Sequence, residues 1–405
     1  MSDSGKWWRR RDLLEQYIGD LVAGELARLR PGAVLPPRPW ATDESLVEGS
    51  LACDSLELLS LAAALAEALG MHRAGLEDYL LARRSLADWR ETAAAGLERY
   101  CAELSFRSSG STGAPKTVHH PLLQLYEEVD VFAGLFRDRS RILCAVPSHH
   151  IYGFLFGILL PQQCSLTVLD IRDRSPAGVR AVLRSGDLVV GHPVFWDAFA
   201  RVVDDVPADI TGLTSTAPCP ADTAHRTRAA GIARLVEIYG SSETAGVGWR
   251  DDPDAGFALL PHWRAGTGPS RLIRASKDNA GVEVELPDRL IWLDDRRFRV
   301  DGRRDEAVQV GGINVFPSKV RATLIEHGKV RDAAVRLMHP HEGNRLKAFI
   351  VPTDTTVDPR ELGAELTAWC NERLSTAERP KAFAVGAELP RTALGKAADW
   401  PLSDA

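Results

Sequence analysis

The stretch from Ser108 to Thr117 constrains this chain more than any other part of it. It reads Ser-Ser-Gly-Ser-Thr-Gly-Ala-Pro-Lys-Thr. Glycines let backbone amides approach an anion closely, hydroxyl groups add donors, and a lysine adds a compact positive charge. The stretch therefore predicts a phosphate-binding loop. A P-loop would need glycine directly before Lys116 and a helix after it, whereas Pro115 removes an amide donor and a His-His-Pro run follows. The pattern disfavours a P-loop NTPase.

The composition of the chain narrows the class of protein further. It contains 405 residues, 45% of them hydrophobic, so we expect two or three domains with sizeable cores. The net charge is -6, with 49 basic and 55 acidic residues mixed along the sequence, and nucleic acid is not an expected partner. Six cysteines without a Cys-x-x-Cys pair argue against a zinc site or a disulfide framework and favour a reducing cytoplasm. No apolar run reaches transmembrane length, so we expect no membrane partner.

The pattern of predicted secondary structure changes twice along the chain. Up to about residue 98, apolar residues recur at helical spacing. From 99 to 301, short β-rich runs first alternate with helical segments, as in an α/β sheet, and then follow one another as in an antiparallel sheet. From 302 to 405 the pattern is that of a small α+β domain. We therefore predict a multidomain fold of the α/β and α+β classes, with domains at 1–98, 99–301 and 302–405.

Four further segments follow the loop in order: Pro147–Gly153, Glu237–Gly246, Asp301–Pro317 and Pro390–Lys396. Together with the loop they resemble the core motifs of the adenylate-forming superfamily, which contains acyl- and aryl-CoA ligases, luciferases and nonribosomal adenylation domains. The resemblance covers about residues 104–400. It implies an AMP-binding adenylation core at 99–301 and a small, mobile C-terminal lid domain at 302–405. It also implies a reaction in which a carboxylate and ATP give an acyl-adenylate and pyrophosphate, and the acyl group then passes to a thiol.

The resemblance assigns a nucleotide-binding role to residues from several of the motifs. Two of them, Glu243 and Thr112, match positions at the family's magnesium ion, and a hard cation favours such oxygen ligands. The turn containing Ala217 lacks the family's usual double glycine, and Asp288 lacks the usual Thr-Gly before it, so Asp288 is placed by spacing alone. The expected ATP- and AMP-binding residues are Ser108, Ser109, Gly110, Ser111, Thr112, Gly113, Lys116, Ala217, Tyr239, Gly240, Ser242, Glu243, Thr244, Asp288 and Arg303.

The catalytic roles are implied by the same motifs. Lys396 matches the lysine of the mobile domain that bridges the carboxylate and the α-phosphate, while Lys116 is the lysine on the phosphate side. Asp305 matches the hinge about which that domain swings, and the loop of Gly311 and Gly312 then forms part of the thiol tunnel. His150 matches an aromatic gate beside the carboxylate that moves to admit the thiol. Such gating lets one pocket host two half-reactions in turn.

The acyl pocket is expected to take a flat, mainly apolar group. Glycines at 240 and 246 leave room for one, and the sequence offers no aspartate placed to hold an α-amine. The predicted pocket residues are His150, Tyr152, Ser241, Gly246 and Val247. The His-His-Ile-Tyr-Gly-Phe and Gly-Gly-Ile-Asn-Val-Phe-Pro runs are similar to those of the compact 4-coumarate–CoA ligases that activate the chromophore of photoactive yellow protein. The resemblance therefore implies 4-coumarate, ATP, Mg²⁺ and coenzyme A as the substrates and cofactors.

Two alternatives stay open at this level. Cys53–Leu58, followed by an apolar helix and Ser85–Trp89, resembles an acyl carrier protein around its phosphopantetheine serine, so the thiol could belong to a carrier protein or to an arm on Ser55. Asp54 and Glu57 alone would explain that stretch as a capping box, and we favour a degenerate, structural carrier-like region. A regulatory nucleotide-binding protein without turnover is the third hypothesis, and the presence of Lys396, Glu243 and Lys116 together argues against it.

Overall fold

The computed structural model describes residues 6–30, 32–108, 116–275, 281–303, 307–339, 342–390 and 399–400. Some predicted site residues lie outside these ranges: Ser109, Gly110, Ser111, Thr112, Gly113, Asp305 and Lys396. The chain forms two compact units. The first contains the described residues up to Leu286 together with Trp292–Arg299, and the second contains Pro287–Ile291 and the described residues from Val300 onward.

The first unit begins with helices, as the sequence predicts. After a 3₁₀ turn at Trp7–Arg9 they are α1 (Arg11–Leu29), α2 (Ser55–Ala68), α3 (Met71–Ala74), α4 (Tyr79–Ala82) and α5 (Leu86–Arg99). Helix α1 packs against both α2 and α5 and buries the apolar residues that recur at helical spacing. The predicted capping box of α2 is present, since the Asp54 carboxylate accepts from the amide of Glu57 at 2.8 Å and Glu57 reaches back to the amide of Asp54 at 3.0 Å.

The strands that follow build a hairpin and a large sheet. They are β1 (Glu103–Ser108), β2 (Lys116–Pro121), β3 (Arg141–Cys144), β4 (Thr167–Asp170), β5 (Asp187–Gly191), β6 (Thr211–Thr214), β7 (Arg234–Ser241), β8 (Ala245–Arg250) and β9 (Phe257–Leu259). The helices between them are α6 (Leu122–Leu135), α7 (Ile151–Phe154), α8 (Leu160–Cys164), α9 (Pro176–Arg180), α10 (Pro193–Val202) and α11 (Ala221–Ala229), with a π-helical turn at Leu155–Leu159 joining α7 to α8.

Further strands are β10 (Trp263–Ala265), β11 (Arg271–Arg274), β12 (Val282–Glu285), β13 (Asp288–Trp292) and β14 (Arg297–Arg303). The large sheet has the order β13-β14-β9-β8-β7-β6-β5-β3-β4, while β10, β11 and β12 form a smaller antiparallel sheet. Strands β4, β3, β5, β6 and β7 run parallel, and β8 and β9 continue antiparallel. The predicted change from alternating α/β to antiparallel strands is therefore present.

The parallel strands are covered by helices, which explains their continuous apolar runs. Every residue of β5 is buried, and Leu188 and Val190 have no exposed surface. Trp196 and Phe199 of α10 pack with this part of the sheet in one apolar cluster. The carboxyl ends of β3, β6 and β7 consequently meet at one edge, where open α/β sheets bind ligands.

The second unit contains a small α+β fold. Its elements are β15 (Val308–Val310), β16 (Ile313–Val315), α12 (Pro317–Ile325), β17 (Val330–Leu337), β18 (Leu346–Pro352), α13 (Pro359–Arg373) and β19 (Ala382–Val385). Strand β18 lies between β17, which is antiparallel to it, and β19, which is parallel. Leu324, Leu346, Ile350, Leu362 and Leu366 form a fully buried core.

The predicted fold class is confirmed: a large mixed sheet with helices, and a small C-terminal α+β fold. The helices before β1 belong to the same compact unit as strands β3 to β9 of the large sheet, and the domain boundaries at 98 and 301 stay a prediction. Within the described ranges, we find no helix with both the length and the apolar character needed to cross a bilayer.

Candidate active site

Strands β1 and β2 hold the two ends of the predicted phosphate loop. They pair antiparallel, with Ser108 opposite Lys116, so both ends of the loop meet at the last rung of a ladder. The preceding rung, Arg107 opposite Thr117, is tied to the N-terminal helices. Thr117 donates to Glu67 at 2.8 Å, and Arg107 forms ion pairs with Glu67 and Glu25, both at 2.7 Å. The helical region thus supports the base of the loop.

The Glu237–Gly246 motif forms the end of β7, a tight turn and the start of β8. The Ser241 hydroxyl accepts from the amides of Glu243 and Thr244 at 3.2 and 3.3 Å, and the Thr244 hydroxyl accepts from the amide of Ser241 at 3.2 Å. The turn closes on itself through these bonds and leaves Glu243 exposed at its tip. Ser241 therefore shapes the turn, and its predicted place in the acyl pocket stays a prediction.

His120 joins this turn to the hairpin of the phosphate loop. Its Nε2 donates to the carbonyl of Ser242 at 2.7 Å across 122 residues of sequence. The ring is buried, and desolvation lowers the pKa of His120, so it is the neutral form that makes this bond near pH 7. Sequence reasoning missed His120 as a site residue, because one histidine on a short strand carries no signal of so distant a partner.

Two of the predicted nucleotide-binding residues, Ala217 and Tyr239, lie towards the ends of two adjacent parallel strands. The Ser215 hydroxyl, just after β6, donates to the carbonyl of Ile238 at 2.9 Å and ties the turn containing Ala217 to β7. Tyr239 is half-buried and packs edge-on against Phe298, with ring centroids 5.6 Å apart. The two strands thus bring Ala217 and Tyr239 to one edge of the sheet.

The Pro147–Gly153 motif follows the carboxyl end of β3 at the same edge. His150 is the residue directly before α7, and its ring centroid lies 4.2 Å from that of His149. His150 is exposed, yet desolvation by the surrounding protein lowers its pKa. Tyr152 is buried and donates to the carbonyl of Gly191, at the end of β5, at 3.0 Å. The π-helical turn shortly after His150 is of a kind often found beside functional sites.

The glycines at 240 and 246 are required by close contacts within the protein. A Cβ on Gly240 would overlap the carbonyl of Ala245, and one on Gly246 would overlap a carboxylate oxygen of Glu128. The space beside Gly246 is therefore filled by protein atoms, contrary to the expectation that these glycines leave room for the acyl group. Val247 beside it is fully buried. A role of Gly246 and Val247 in the acyl pocket stays a prediction.

Glu128 of α6 contacts Gly246, and the sequence analysis did not predict this contact. Both of its carboxylate oxygens accept from the amide of Gly246 at 3.0 Å, and Trp263 donates to the Gly246 carbonyl at 2.8 Å. The side chain is fully buried, and desolvation raises the pKa of Glu128 to about 7. A single glutamate on an amphipathic helix is normally exposed to solvent, so the sequence gives no sign that Glu128 is buried against Gly246.

Four predicted site residues belong to described parts of the second unit. Asp288 is buried at the start of β13 and Arg303 is half-buried at the end of β14; the Arg289–Asp301 contact at 4.0 Å places these two strand ends side by side. Gly311 and Gly312 connect β15 to β16 with φ of 60° and 83°, as a two-residue type I′ turn requires. Both glycines are therefore needed by the turn, whatever their role toward a thiol.

Sequence comparison decides the family. Residues 106–263 match the family "AMP-binding enzyme", and residues 319–396 match its "AMP-binding enzyme C-terminal domain". The chain belongs to the AMP-binding enzyme family. The predicted membership of the adenylate-forming superfamily is thereby confirmed, and so is the predicted class, an AMP-forming acid–thiol ligase.

Curated relatives of this AMP-binding enzyme extend over nearly the whole chain. It is 38% identical to a 4-coumarate–CoA ligase of Cereibacter sphaeroides over 89% of this chain and 87% of that protein. It is 36% identical to a 4-coumarate–CoA ligase of Halorhodospira halophila over 95% of this chain and 98% of that protein.

Solved structures agree on the fold of the AMP-binding enzyme. One neighbour is an o-succinylbenzoate CoA synthetase of Bacillus subtilis, with a TM-score of 0.60, 20% identity and coverage of 80% of this chain and 72% of that one. Another is the amide bond synthetase McbA of Marinactinospora thermotolerans, with a TM-score of 0.60, 19% identity and coverage of 95% and 92%.

The donor set around Glu243 fits a nucleotide-bound magnesium ion. Among the described residues there is no cluster of three or more histidine, cysteine or acidic side chains that could hold a metal. Mg²⁺ in nucleotide enzymes is usually bound by one or two carboxylates, the substrate phosphates and water. A single exposed carboxylate at the tip of a turn that His120 ties to the phosphate-loop hairpin meets that requirement.

Proposed function

We propose that this AMP-binding enzyme activates an aromatic carboxylic acid, 4-coumarate, with ATP and transfers the acyl group to coenzyme A. The observation that carries the proposal is the convergence at one sheet edge of the loops after β3, β6 and β7, next to the hairpin that bears the phosphate loop. The two 4-coumarate–CoA ligases to which the chain is similar over nearly their full length support the choice of acid and acceptor.

In the first half-reaction, a carboxylate oxygen of the acid attacks the α-phosphorus of ATP, and the bond to pyrophosphate breaks. Lys116 and the loop before it hold the β- and γ-phosphates, and Lys396 bridges the carboxylate and the α-phosphate. Glu243 and Thr112 would hold Mg²⁺, which supplies positive charge against the phosphates when bound. Positive groups aimed at the charge that develops in the transition state are the main source of rate in such a transfer.

In the second half-reaction, the thiol sulfur attacks the carbonyl carbon of the acyl-adenylate, and the bond to AMP breaks. We infer that His150 moves to admit the thiol, and that the lid domain turns about Asp305 to bring Gly311 and Gly312 to its path. Tyr152 is held through its bond to Gly191 and forms a fixed wall beside His150. Removal of Lys396 from the site at this stage leaves room for the thiol.

We further infer that the thioester product serves to charge a chromophore-binding protein of the photoactive yellow protein type in a reducing cytoplasm. The compact chain and the shared motif runs support this setting. The cysteines at 53, 101, 144, 164, 219 and 370 form no disulfide, which agrees with it.

A carrier-protein acceptor is the second candidate, because Ser55 is exposed at the first turn of α2. Its helix is held in place, however: Glu57 pairs with Arg30 at 2.6 Å and Glu67 pairs with Arg107 at 2.7 Å. A helix fixed in this way is poorly suited to move as a swinging carrier, which favours free coenzyme A.

The function is tested with the purified chain, ATP, Mg²⁺ and a panel of carboxylic acids. We expect AMP and pyrophosphate release with 4-coumarate and formation of its CoA thioester. A preference for fatty acids or amino acids would contradict the choice of acid. Thioester formation only on a carrier protein, or a mass gain at Ser55 after treatment with a phosphopantetheinyl transferase, would replace coenzyme A by the second candidate.

A further inference from the structure

One face of α1 makes three contacts with the Pro147–Gly153 motif, called the histidine motif below, and with the residue that follows it. Tyr17, Asp20 and Gly24 are spaced three and four residues apart, so they lie along a single row of the helix. The Tyr17 ring packs edge-on against Phe154 at 5.6 Å, Asp20 binds Ser148, and Gly24 lies against His149. The row thus follows the motif from its second residue to the residue just after it.

Asp20 fixes the backbone two residues before His150. Its side chain has no exposed surface, and one carboxylate oxygen accepts from both the amide and the hydroxyl of Ser148, at 2.7 and 2.6 Å. The other oxygen forms ion pairs with Arg38 at 2.5 Å and Arg172 at 2.7 Å. The buried carboxylate thus holds Ser148 through two bonds at once.

The ring of His149 packs against α1 at Gly24. A Cβ built on Gly24 would lie 2.6 Å from His149 Nε2, closer than any real contact. The His149 Nδ1 is buried and has no hydrogen-bond partner among the described residues, and the ring lies directly against the backbone of α1 at Gly24. The His150 ring rests on it, with centroids 4.2 Å apart.

The contact with His149, and not the helix itself, requires glycine at position 24. A glycine inside a helix costs about 1 kcal/mol relative to alanine, but a Cβ at position 24 would overlap the His149 ring. Gly19 of the same helix meets only an ordinary contact, so the close approach to the histidine motif is particular to Gly24.

We propose that α1 is a positioning element of the active site, which holds Ser148 and His149 so that the His150 ring is aligned for the acceptor step. The N-terminal helices then serve catalysis without touching substrate. The inference rests on the proposed function, since the acceptor step and the part of His150 in it belong to that function.

The test compares G24A with G19A in the full-length protein. Both glycines are half-buried in α1, but a Cβ on Gly19 meets only an ordinary contact, 3.5 Å from Arg38. We expect G24A to lower kcat/KM for coenzyme A about tenfold or more, since small misplacements near the chemistry are costly, and to leave acid-dependent ATP–pyrophosphate exchange within about twofold. G19A should leave both rates unchanged. S148A, which removes only the hydroxyl bond to Asp20, should lower the same half-reaction less.

Several results would overturn the inference: equal rates in G24A and wild type, an equal loss in both half-reactions, or the same selective loss in G19A. Thermal unfolding of each variant shows whether an equal loss reflects a destabilised fold. Wild-type protein that forms no thioester with coenzyme A would instead contradict the proposed function, so the two failures are distinguishable.

Discussion

At the scale of single residues, the site depends on side chains whose surroundings change their chemistry. Glu243 is exposed on a turn held by its own hydroxyl groups, whereas Glu128 is fully buried against Gly246. Burial disfavours charge, so two glutamates that look alike in the sequence have different tasks. The exposed one is suited to a cation, and the buried one fixes the start of β8.

The exposed carboxylate gives the simplest test of the magnesium assignment. E243Q should fold as the wild type does, since the side chain is exposed, and should lose roughly a hundredfold or more in ATP–pyrophosphate exchange because charge stabilisation is a large term in such transfers. Raising the Mg²⁺ concentration should recover part of this loss. An unchanged rate at limiting Mg²⁺ would exclude Glu243 as a ligand.

Lys396 is tested by separating the half-reactions. K396A should abolish ATP–pyrophosphate exchange, because the bridging charge is lost, and should spare thioester formation from a supplied adenylate. K381A, which alters an exposed lysine of the same unit, serves as control and should change neither rate. Loss of both half-reactions alike in K396A would contradict the assigned role.

The buried Glu128 is expected to make the free energy of unfolding depend on pH. Its pKa is raised from 4.5 to about 7 by burial, so between these values the folded state holds a proton that the unfolded state has lost. Stability therefore falls as the pH rises from 4.5 to 7, by up to about 3 kcal/mol.

The variant E128Q should lack this part of the pH dependence and should be more stable than wild type above pH 7. Denaturant unfolding of both proteins between pH 4.5 and pH 8 measures the free energy of unfolding at each pH. E127Q, which alters the half-exposed neighbour bound to Arg274, is the control and should keep the wild-type slope. The same slope in E128Q and wild type would show that another group is responsible.

At the scale of elements, strand β18 places a lysine in the core of the small α+β fold. The Lys347 side chain has no exposed surface, and its ammonium group donates to Glu342 at 3.0 Å and to the carbonyl of Trp400 at 2.8 Å. Asp399 lies 3.2 Å from the same group. The described residues 399 and 400, which follow the predicted catalytic segment Pro390–Lys396, are thereby anchored to β18.

Removal of this lysine should destabilise the C-terminal fold. K347M leaves the buried carbonyl of Trp400 and the carboxylates of Glu342 and Asp399 without the ammonium group that they share, and removing a fully buried cation from its partners is strongly destabilising. K329M is the matched control, because Lys329 and Glu365 form a half-exposed pair at 2.6 Å, and exposed pairs contribute little to stability. Denaturant unfolding followed by hydrogen exchange in β18 distinguishes the two. Equal losses in both variants would show that Lys347 is not a core anchor.

At the scale of the whole molecule, the N-terminal helices and strands β3 to β9 of the large sheet form one compact unit. Trp7 packs edge-on against Phe154 at 5.2 Å, and Asp20 is neutralised by Arg172, so residues far along the chain complete the environment of α1. The region resembles a carrier protein in sequence, but an independent carrier would contain its own core.

A fragment of residues 1–98 should therefore not fold by itself. Without Phe154 and Arg172, the α1 row would expose aromatic side chains and leave Asp20 with part of its charge uncompensated. We expect weak helical circular dichroism and no cooperative thermal transition, whereas the full chain should unfold cooperatively. A cooperative transition in the fragment would support an autonomous carrier-like domain.

The sequence by itself determined the family and the order of the elements. Phosphate binding, magnesium binding and tight turns require particular residue types at short spacing, and such requirements can be recognised in a linear sequence. The motifs that contain Lys116, Glu243, Gly311 and Gly312 carry the family resemblance for that reason, and the site roles of these residues stay predictions.

Only the tertiary structure decided what surrounds those motifs. The bond of His120 to Ser242, the contact of Glu128 with Gly246 and the row of α1 against His149 each join residues separated by more than a hundred positions. A contact across such a distance leaves no local pattern, because any of many residues could supply it. The physical reason is that folding, rather than spacing, decides which buried polar group meets which partner.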